Sequence, residues 1–88
     1  MKPLVIDTRE PHEYEASHYP GAINISTQEF MSGTIPKALQ DTPKDCPIFV
    51  YCRSGARSNT VGHILRSQGF TNITNGINEH HVDRMINP

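Results

Sequence analysis

The sequence predicts an α/β protein in which helices cover both faces of a central, mostly parallel β-sheet of about four to five strands. The predicted strands are short, uninterrupted apolar runs, which is typical of strands that are buried on both faces. Helical segments separate these runs, as expected for a parallel sheet. The 88 residues suffice for one domain, residues 1–88, and are too few for two.

The first half of the chain contains two predicted strands. Pro11 suits the first position of a helix, because its missing N–H would have no partner there. Ser26 followed by Glu29 has the spacing of a capping box, which starts a helix. The elements predicted in this half are a strand over Leu4–Asp7, a helix from Glu10, a strand over Ala22–Ile25, a short helix from Ser26 to Gly33 and a helical turn over Pro36–Gln40.

The second half contains the clearest strand of the chain, Ile48–Tyr51, which consists of four residues that favour β-structure. This strand leads directly into Cys52 and a short segment that contains glycine, before a helical pattern begins. The remaining predicted elements are a helix carrying Val61, Ile64 and Leu65 with Gly69 past its end, a strand over Asn72–Thr74, a turn at Asn75–Gly76 and a last helix carrying Val82, Met85 and Ile86.

The overall composition argues against several functional classes. The net charge is -1 with both signs interspersed, unlike the basic surface of a nucleic-acid-binding protein or the polybasic segment of a membrane anchor. No apolar run approaches the roughly 18 residues that span a bilayer, and Met1–Pro3 is too short for a signal peptide. We therefore expect a cytoplasmic monomer that binds neither nucleic acid nor membranes.

The two cysteines, Cys46 and Cys52, are expected to be independent thiols. If the residues between them form a strand, their Cα atoms lie about 20 Å apart, whereas a disulfide requires less than about 7 Å. Neither cysteine has further Cys or His residues at the spacing of metal ligands, so we expect no metal site and no cofactor.

The segment after the clearest strand carries the chemistry. Cys52 lies at the carboxyl end of that strand, where open parallel sheets bind ligands. The start of the following helix, free backbone N–H groups and the cations of Arg53 and Arg57 all favour the thiolate, so we expect a lowered pKa for Cys52. Gly55 allows the loop to curl, so that its N–H groups can form an anion-binding nest. The small residues that keep this pocket open are Ser54, Ala56 and Ser58.

Each candidate residue also has a purely structural interpretation. Free cysteines are often buried core residues, but the neighbouring arginines and glycine favour a reactive Cys52, whereas Cys46 lacks such a setting. Asp7 and Arg9 are expected to give structural support, because a buried ion pair at a strand end can fix neighbouring loops. The histidines that we expect to be loop anchors, or part of a packed or solvated helix face, are His18, His80 and His81.

A set of sequence blocks extends over nearly the whole chain: Val5–Glu10, Glu13–Tyr14, His18–Ile25, Val50–Ser58, Leu65, Gly69–Phe70 and Asn75–Gly76. Through these blocks the chain resembles the rhodanese (thiosulfate sulfurtransferase) family. The resemblance implies a rhodanese fold and a two-step reaction. Cys52 would take a sulfane sulfur from a small anionic donor such as thiosulfate and pass it to cyanide or a thiol, with a protein acceptor as a further option. It also implies that Arg53–Arg57 form the loop around the persulfide.

Some features depart from the family pattern. The chain begins at the strand that contains Asp7 and lacks the helix and strand that many members place before it. Ser17 stands where a glycine is usual, and Asn78–His81 stands where a tryptophan commonly occurs. These departures bear on edge packing and on substrate preference rather than on the chemistry of the cysteine.

Two alternative functions remain open at this point. A cysteine phosphatase or arsenate reductase also places a Cys and an Arg on a loop between strand and helix, but over a wider loop than the one here, where four residues separate Cys52 from Arg57. A non-catalytic rhodanese-like module would only bind a partner. Such modules commonly lose the cysteine, which this chain retains.

Overall fold

The computed structural model describes residues 1–88 and contains four strands and four α-helices. The elements are β1 (Leu4–Asp7), α1 (Pro11–Ala16), β2 (Ile23–Asn24), α2 (Thr27–Phe30), a 3₁₀ turn (Lys37–Leu39), β3 (Ile48–Tyr51), α3 (Ala56–Ser67), β4 (Ile73–Ile77) and α4 (Glu79–Ile86). The sheet has the strand order β2-β1-β3-β4, and all neighbouring strands are parallel. The predicted α/β fold is confirmed, with four strands. No helix has the length and apolar character needed to cross a membrane.

Two clusters of buried side chains cover the two faces of the sheet. On one face, Phe30 of α2 and Val61 and Leu65 of α3 belong to a cluster of nine buried residues. On the other face, Val82 of α4 belongs to a second cluster, against which Tyr14 of α1 packs. Burial of one such side chain contributes about 1.5–3 kcal/mol, so both helical layers stabilise the sheet. Helices therefore flank both faces, as the sequence predicts.

The predicted turn at Asn75–Gly76 is wrong. These residues lie inside β4, which continues to Ile77 and pairs with β3 across a register shift. Gly76 is buried, and a Cβ added to it would collide with the Val82 side chain of α4. The glycine therefore allows the close approach of a helix, and strand pairing overrides the turn preference of an Asn-Gly pair.

The starts of two helices also differ in detail from the prediction. Ser26 is the N-cap of α2, but its side chain makes no capping hydrogen bond, so the predicted capping box with Glu29 is wrong. An N-cap interaction of this kind occurs at α1, where the Glu10 N–H donates to the Glu13 carboxylate (3.1 Å). Pro11 occupies the first position of α1, as predicted.

The carboxyl ends of the strands meet at one edge of the sheet because all pairings are parallel. Asp7 ends β1, Tyr51 ends β3 and Ile77 ends β4, and both Asp7 and Ile77 are paired with Tyr51 at this edge. Ligands of open parallel sheets bind at such an edge. The segment that begins with Cys52 leaves the sheet here and leads into α3.

Candidate active site

The thiol of Cys52 lies inside the turn between β3 and α3. Gly55, the residue before α3, has a φ of 93°, a left-handed conformation that glycine adopts without strain. The turn directs the Gly55 N–H at Cys52 Sγ, 3.1 Å away, and places the Ser58 hydroxyl oxygen 3.5 Å from the same sulfur. Cys52 is only 2% exposed, so the loop encloses the sulfur. The predicted curl of the loop at Gly55 is confirmed.

Hydrogen-bond donors make this thiol more acidic than usual. Burial is the largest single influence and raises the pKa of Cys52. The Ser58 hydroxyl and the backbone N–H groups of Ser58, Ser54 and Gly55 together outweigh it and lower the pKa from 9.0 to about 7. The predicted direction is confirmed. The groups that lower the pKa most are the donors of the loop and of the first turn of α3, and not the arginine charges that the sequence suggested.

The two arginines of the loop do not form hydrogen bonds with the thiol. Arg57 donates from two guanidinium nitrogens to the two oxygens of the Glu13 carboxylate, at 2.8 and 3.2 Å. This hydrogen-bonded pair lowers the pKa of Glu13 from 4.5 to about 2. Arg53 is exposed and forms no ion pair. Arg57 therefore ties the start of α3 to α1, through a partner that the sequence did not indicate.

A buried polar network lies at the end of β1. The Asp7 carboxylate accepts hydrogen bonds from Arg9 Nε (2.9 Å), from an Arg9 terminal nitrogen (2.7 Å) and from the Tyr51 hydroxyl (3.0 Å). Arg9 also donates to the Ser17 carbonyl at 2.6 Å. These bonds fix the segments that follow β1 and α1. They are contacts of the kind predicted for structural support, and none of them involves the Cys52 thiol.

Two residues at the end of β4 contact the loop, and sequence reasoning missed both. Asn75 Oδ1 accepts from the Ser58 hydroxyl (2.7 Å), while Asn75 Nδ2 donates to the Gly55 carbonyl (3.0 Å). The Ile77 carbonyl accepts from the Cys52 N–H (3.1 Å), and Ile77 has a φ of 72°, which is rare for a β-branched residue. A polar side chain at the carboxyl end of a neighbouring strand was the signal that could have indicated Asn75.

The other predicted candidates are exposed or contact backbone carbonyl groups. His18 Nδ1 lies 2.8 Å from the Tyr14 carbonyl, and the His18 ring stacks on the Tyr14 ring. His81 Nδ1 lies 2.9 Å from the Gly76 carbonyl. No group of three or more His, Cys, Asp or Glu side chains is arranged to hold a metal ion. Besides Arg53, the predicted candidates with exposed positions are Ser54, Ala56 and His80.

Comparison with known proteins gives the same fold and relates the chain to sulfur chemistry. Residues 1–79 match the family model of the rhodanese-like domain. The thiosulfate sulfurtransferase PspE of Escherichia coli is 37% identical over 70 residues, which make up 80% of this chain and 64% of that protein. The putative sulfur carrier protein YrkF of Bacillus subtilis is 31% identical over 71 residues, 81% of this chain and 36% of that protein.

Solved structures extend this likeness to three dimensions. A rhodanese with anions from E. coli superposes with a TM-score of 0.77 at 30% identity, over 91% of each chain. A human single-domain sulfurtransferase, TSTD1, shares the fold with a TM-score of 0.73 at 23% identity, over 98% of this chain and 83% of that one. The chain spans only 64% and 36% of the two curated relatives PspE and YrkF. From its family match, sheet and cysteine loop, the chain belongs to the rhodanese-like domain family.

Proposed function

We propose that this protein is a sulfurtransferase that moves a sulfane sulfur from a small anionic donor such as thiosulfate to a thiophilic acceptor through a persulfide on Cys52. The acceptor is cyanide, a low-molecular-weight thiol or a thiol of a protein. The observation that carries the proposal is the set of hydrogen-bond donors around Sγ, which lowers the pKa of Cys52 to about 7 and so favours the thiolate at neutral pH. A relative named thiosulfate sulfurtransferase supports the choice of donor.

The first half-reaction transfers sulfur to the enzyme. The Cys52 thiolate attacks the outer sulfur of thiosulfate, a new S–S bond forms at Sγ, and the S–S bond of thiosulfate breaks with its electron pair leaving on sulfite. The donor is a dianion, so its approach to a thiolate is opposed by like-charge repulsion. Exposed Arg53 and the N–H groups of the loop are the groups at this edge that can lower that repulsion.

The second half-reaction returns the thiolate. A nucleophilic acceptor attacks the outer sulfur of the persulfide, the S–S bond to Sγ breaks, and the electron pair remains on Cys52. The Gly55 N–H and the Ser58 hydroxyl lie next to Sγ and stabilise this leaving thiolate as they stabilise the free one. The same donors therefore serve both steps, and no proton has to be removed from the enzyme during turnover.

The site is less suited to phosphate chemistry. Phosphate transfer by a cysteine needs an arginine that binds the oxygens of a tetrahedral oxyanion. Here Arg57 is already bound to Glu13 through both of its terminal nitrogens. The Gly55 N–H points at the sulfur from 3.1 Å and is occupied by it, so the turn fits one sulfur atom more readily than a phosphate group.

Intact mass spectrometry tests the proposal. Incubation of the reduced protein with thiosulfate is expected to add one sulfur, about 32 Da, and subsequent cyanide is expected to remove it. A non-catalytic module would bind a partner without gaining this mass. Absence of the adduct with thiosulfate and with other sulfane donors would contradict the sulfurtransferase proposal.

A further inference from the structure

A single amide side chain, that of Asn75, contacts several parts of the segment 52–58, which we call the Cys52 loop. We propose that Asn75 is a positioning residue, which holds Ser58, Gly55 and Ile77 so that the hydrogen-bond donors of the loop remain directed at Cys52 Sγ. The consequence for turnover rests on the sulfurtransferase function proposed above. The consequence for the reactivity of the thiol does not, and the two can be measured separately.

The contacts of Asn75 account for both of its polar atoms. Oδ1 accepts from the Ser58 hydroxyl (2.7 Å) and from the Ile77 N–H (3.0 Å), and Nδ2 donates to the Gly55 carbonyl (3.0 Å). These contacts fix the orientation of the amide, because exchange of its oxygen and nitrogen would place an N–H against the Ile77 N–H and an oxygen against the Gly55 carbonyl. Asn75 therefore cannot turn without breaking all of them.

Each of the three contacted residues in turn contacts Cys52. Ser58 Oγ lies 3.5 Å from Sγ, and the Gly55 N–H donates to Sγ at 3.1 Å. The Ile77 carbonyl accepts the backbone N–H of Cys52 at 3.1 Å. Asn75 forms no hydrogen bond with Cys52 itself, yet it is hydrogen-bonded to all three of these neighbours of the cysteine. This is the pattern of a residue that acts through others.

The bond to Ile77 also allows Ser58 to change partners. Ser58 has one hydroxyl hydrogen, which the Asn75 oxygen accepts in the structure. When the thiolate forms, Ser58 can turn this hydrogen toward Sγ. Asn75 Oδ1 then keeps the Ile77 N–H as a partner, so it is not left without a hydrogen bond. Removal of Asn75 ends the competition between Asn75 Oδ1 and Cys52 Sγ for the Ser58 hydrogen, and it also releases the loop from its position. We expect the loss of positioning to have the larger effect on the pKa of Cys52.

The charged groups near the loop do not take over the role of the hydrogen-bond donors around Sγ. None of them is hydrogen-bonded to Sγ, which lies within hydrogen-bonding distance of the Gly55 N–H and the Ser58 hydroxyl. The charged or titratable groups on the loop and on the neighbouring elements are Arg53 on the loop, Arg57 of α3 with Glu13 of α1, Asp7 with Arg9 at the end of β1, Glu10, and Glu79 and His81 of α4, which packs against β3 and β4.

Asn24 provides a matched control at the other side of the sheet. It ends β2, as Asn75 lies near the end of β4, and both are half-buried. Asn24 Nδ2 donates to the carbonyls of Asp7 (3.1 Å) and Arg9 (2.9 Å), so it also braces the backbone after a strand. Its side-chain hydrogen bonds go to the segment after β1 and not to the Cys52 loop. Asn24→Ala therefore removes a comparable amide without changing the setting of the thiol.

The test measures alkylation of Cys52 by iodoacetamide against pH in the 88-residue protein, in a Cys46→Ser background. We expect Asn75→Ala to raise the midpoint by about one pH unit, toward that of a free thiol. Persulfide formation at neutral pH should slow about fivefold and recover near pH 9, since only the thiolate fraction has fallen. A residue needed merely for folding would lower the rate at every pH.

Two further variants keep the result decisive. Asn24→Ala is expected to lower the melting temperature by a similar amount and to leave the alkylation midpoint unchanged. If Asn75→Ala does not fold, Asn75→Asp retains the acceptor for Ser58 and Ile77 but loses the donor to Gly55, and its midpoint should rise at least as far. An unchanged midpoint in the folded Asn75 variant, or an equal shift in Asn24→Ala, would overturn the proposal. A shifted midpoint without any persulfide would instead reject sulfur transfer and leave the role of Asn75 standing.

Discussion

The two cysteines lie beyond opposite ends of the same strand and are both buried, yet their surroundings differ in one respect. Cys46 precedes β3 and is 6% exposed, while Cys52 follows it and is 2% exposed. The Cys46 sulfur lies 3.6 Å from the Pro47 carbonyl and 3.9 Å from the Lys2 carbonyl, both of which can only accept a hydrogen from S–H. The Cys52 sulfur instead receives the N–H of Gly55.

The comparison shows that burial alone does not decide what a cysteine does. A sulfur surrounded by carbonyl oxygens is a small core side chain with a weak donor. A sulfur surrounded by N–H and O–H donors is held ready to carry negative charge, even though it is the more buried of the two. The difference arises because the amino end of β3 continues from a polar connection, whereas its carboxyl end enters a helix through a left-handed glycine.

Replacing each cysteine in turn gives the largest expected difference. Cys52→Ser should abolish sulfur transfer from thiosulfate and leave the melting temperature nearly unchanged, because serine fits the same enclosed position but cannot form a persulfide. Cys46→Ser should retain the wild-type rate. Both are measured as thiocyanate produced from thiosulfate and cyanide. Loss of activity in Cys46→Ser, with Cys52→Ser active, would reverse the whole assignment.

Alkylation rates should separate the two thiols in the wild-type protein. We expect Cys52 to react with a midpoint near pH 7, because its pKa is lowered to about 7 by the donors of the loop. At neutral pH about half of it is then thiolate, compared with about one part in thirty for an ordinary thiol. Peptide mapping after a short pulse of iodoacetamide measures both sites at once. A Cys52 midpoint near about 8.5 would contradict the proposed loop geometry.

Arginine variants test whether the bond between Arg57 and Glu13 keeps the loop around Cys52 in its reactive arrangement. Arg57→Ala should slow persulfide formation about tenfold, about 1.4 kcal/mol, because α3 loses its tie to α1. Arg57→Lys should be nearly as slow, since an ammonium group cannot replace the two parallel hydrogen bonds to Glu13. Arg53→Ala should have a smaller effect. Stopped-flow measurement with thiosulfate distinguishes these cases, and a fully active Arg57→Lys would show that charge alone matters.

The smallest expected effect is a dependence of stability on acid. Arg57 lowers the pKa of Glu13 from 4.5 to about 2, so the pair contributes stability above pH 4.5 and loses it as the pH falls toward 2. The melting temperature of Glu13→Gln should lie below that of wild type at neutral pH, and the two should converge across this acidic range. A constant difference at all pH values would indicate that Glu13 acts through packing and not through its charge.

The part of the site that lies within one segment could be predicted from the sequence. Cys52 and Gly55 occur in one short stretch after an obvious strand, so the loop, its curl and the direction of the thiol pKa followed from local chemistry. The parallel sheet followed equally from the apolar runs. The partners from distant segments did not, since Glu13 lies 44 residues before Arg57 and Asn75 lies 17 residues after Ser58.

Asn75, Gly76 and Arg57 illustrate why contacts between distant segments could not be predicted. Asn75 and Gly76 have the local preference of a turn, and only their pairing with β3 and the approach of Val82 explain why they form a strand instead. Likewise, an arginine beside a cysteine suggests an interaction with it. In the fold, α1 lies close enough to α3 for Arg57 to bind the Glu13 carboxylate, a partner that no local sequence pattern indicates.

The parallel arrangement of β4 has a consequence for biosynthesis. A parallel pairing cannot form as a hairpin, and it has to wait for a crossover segment, here the whole of α3. Contacts between distant segments form late in folding. The full set of hydrogen bonds around Cys52 therefore forms only when β4 has paired, because the Ile77 carbonyl and the Asn75 amide belong to that strand. The donors that lower the pKa of Cys52 are local, but Asn75 and Ile77, which hold the loop from β4, are distant in sequence. We therefore expect the full reactivity of the thiol to be acquired only with the native state, so that an unfinished chain is less exposed to electrophiles and disulfide exchange.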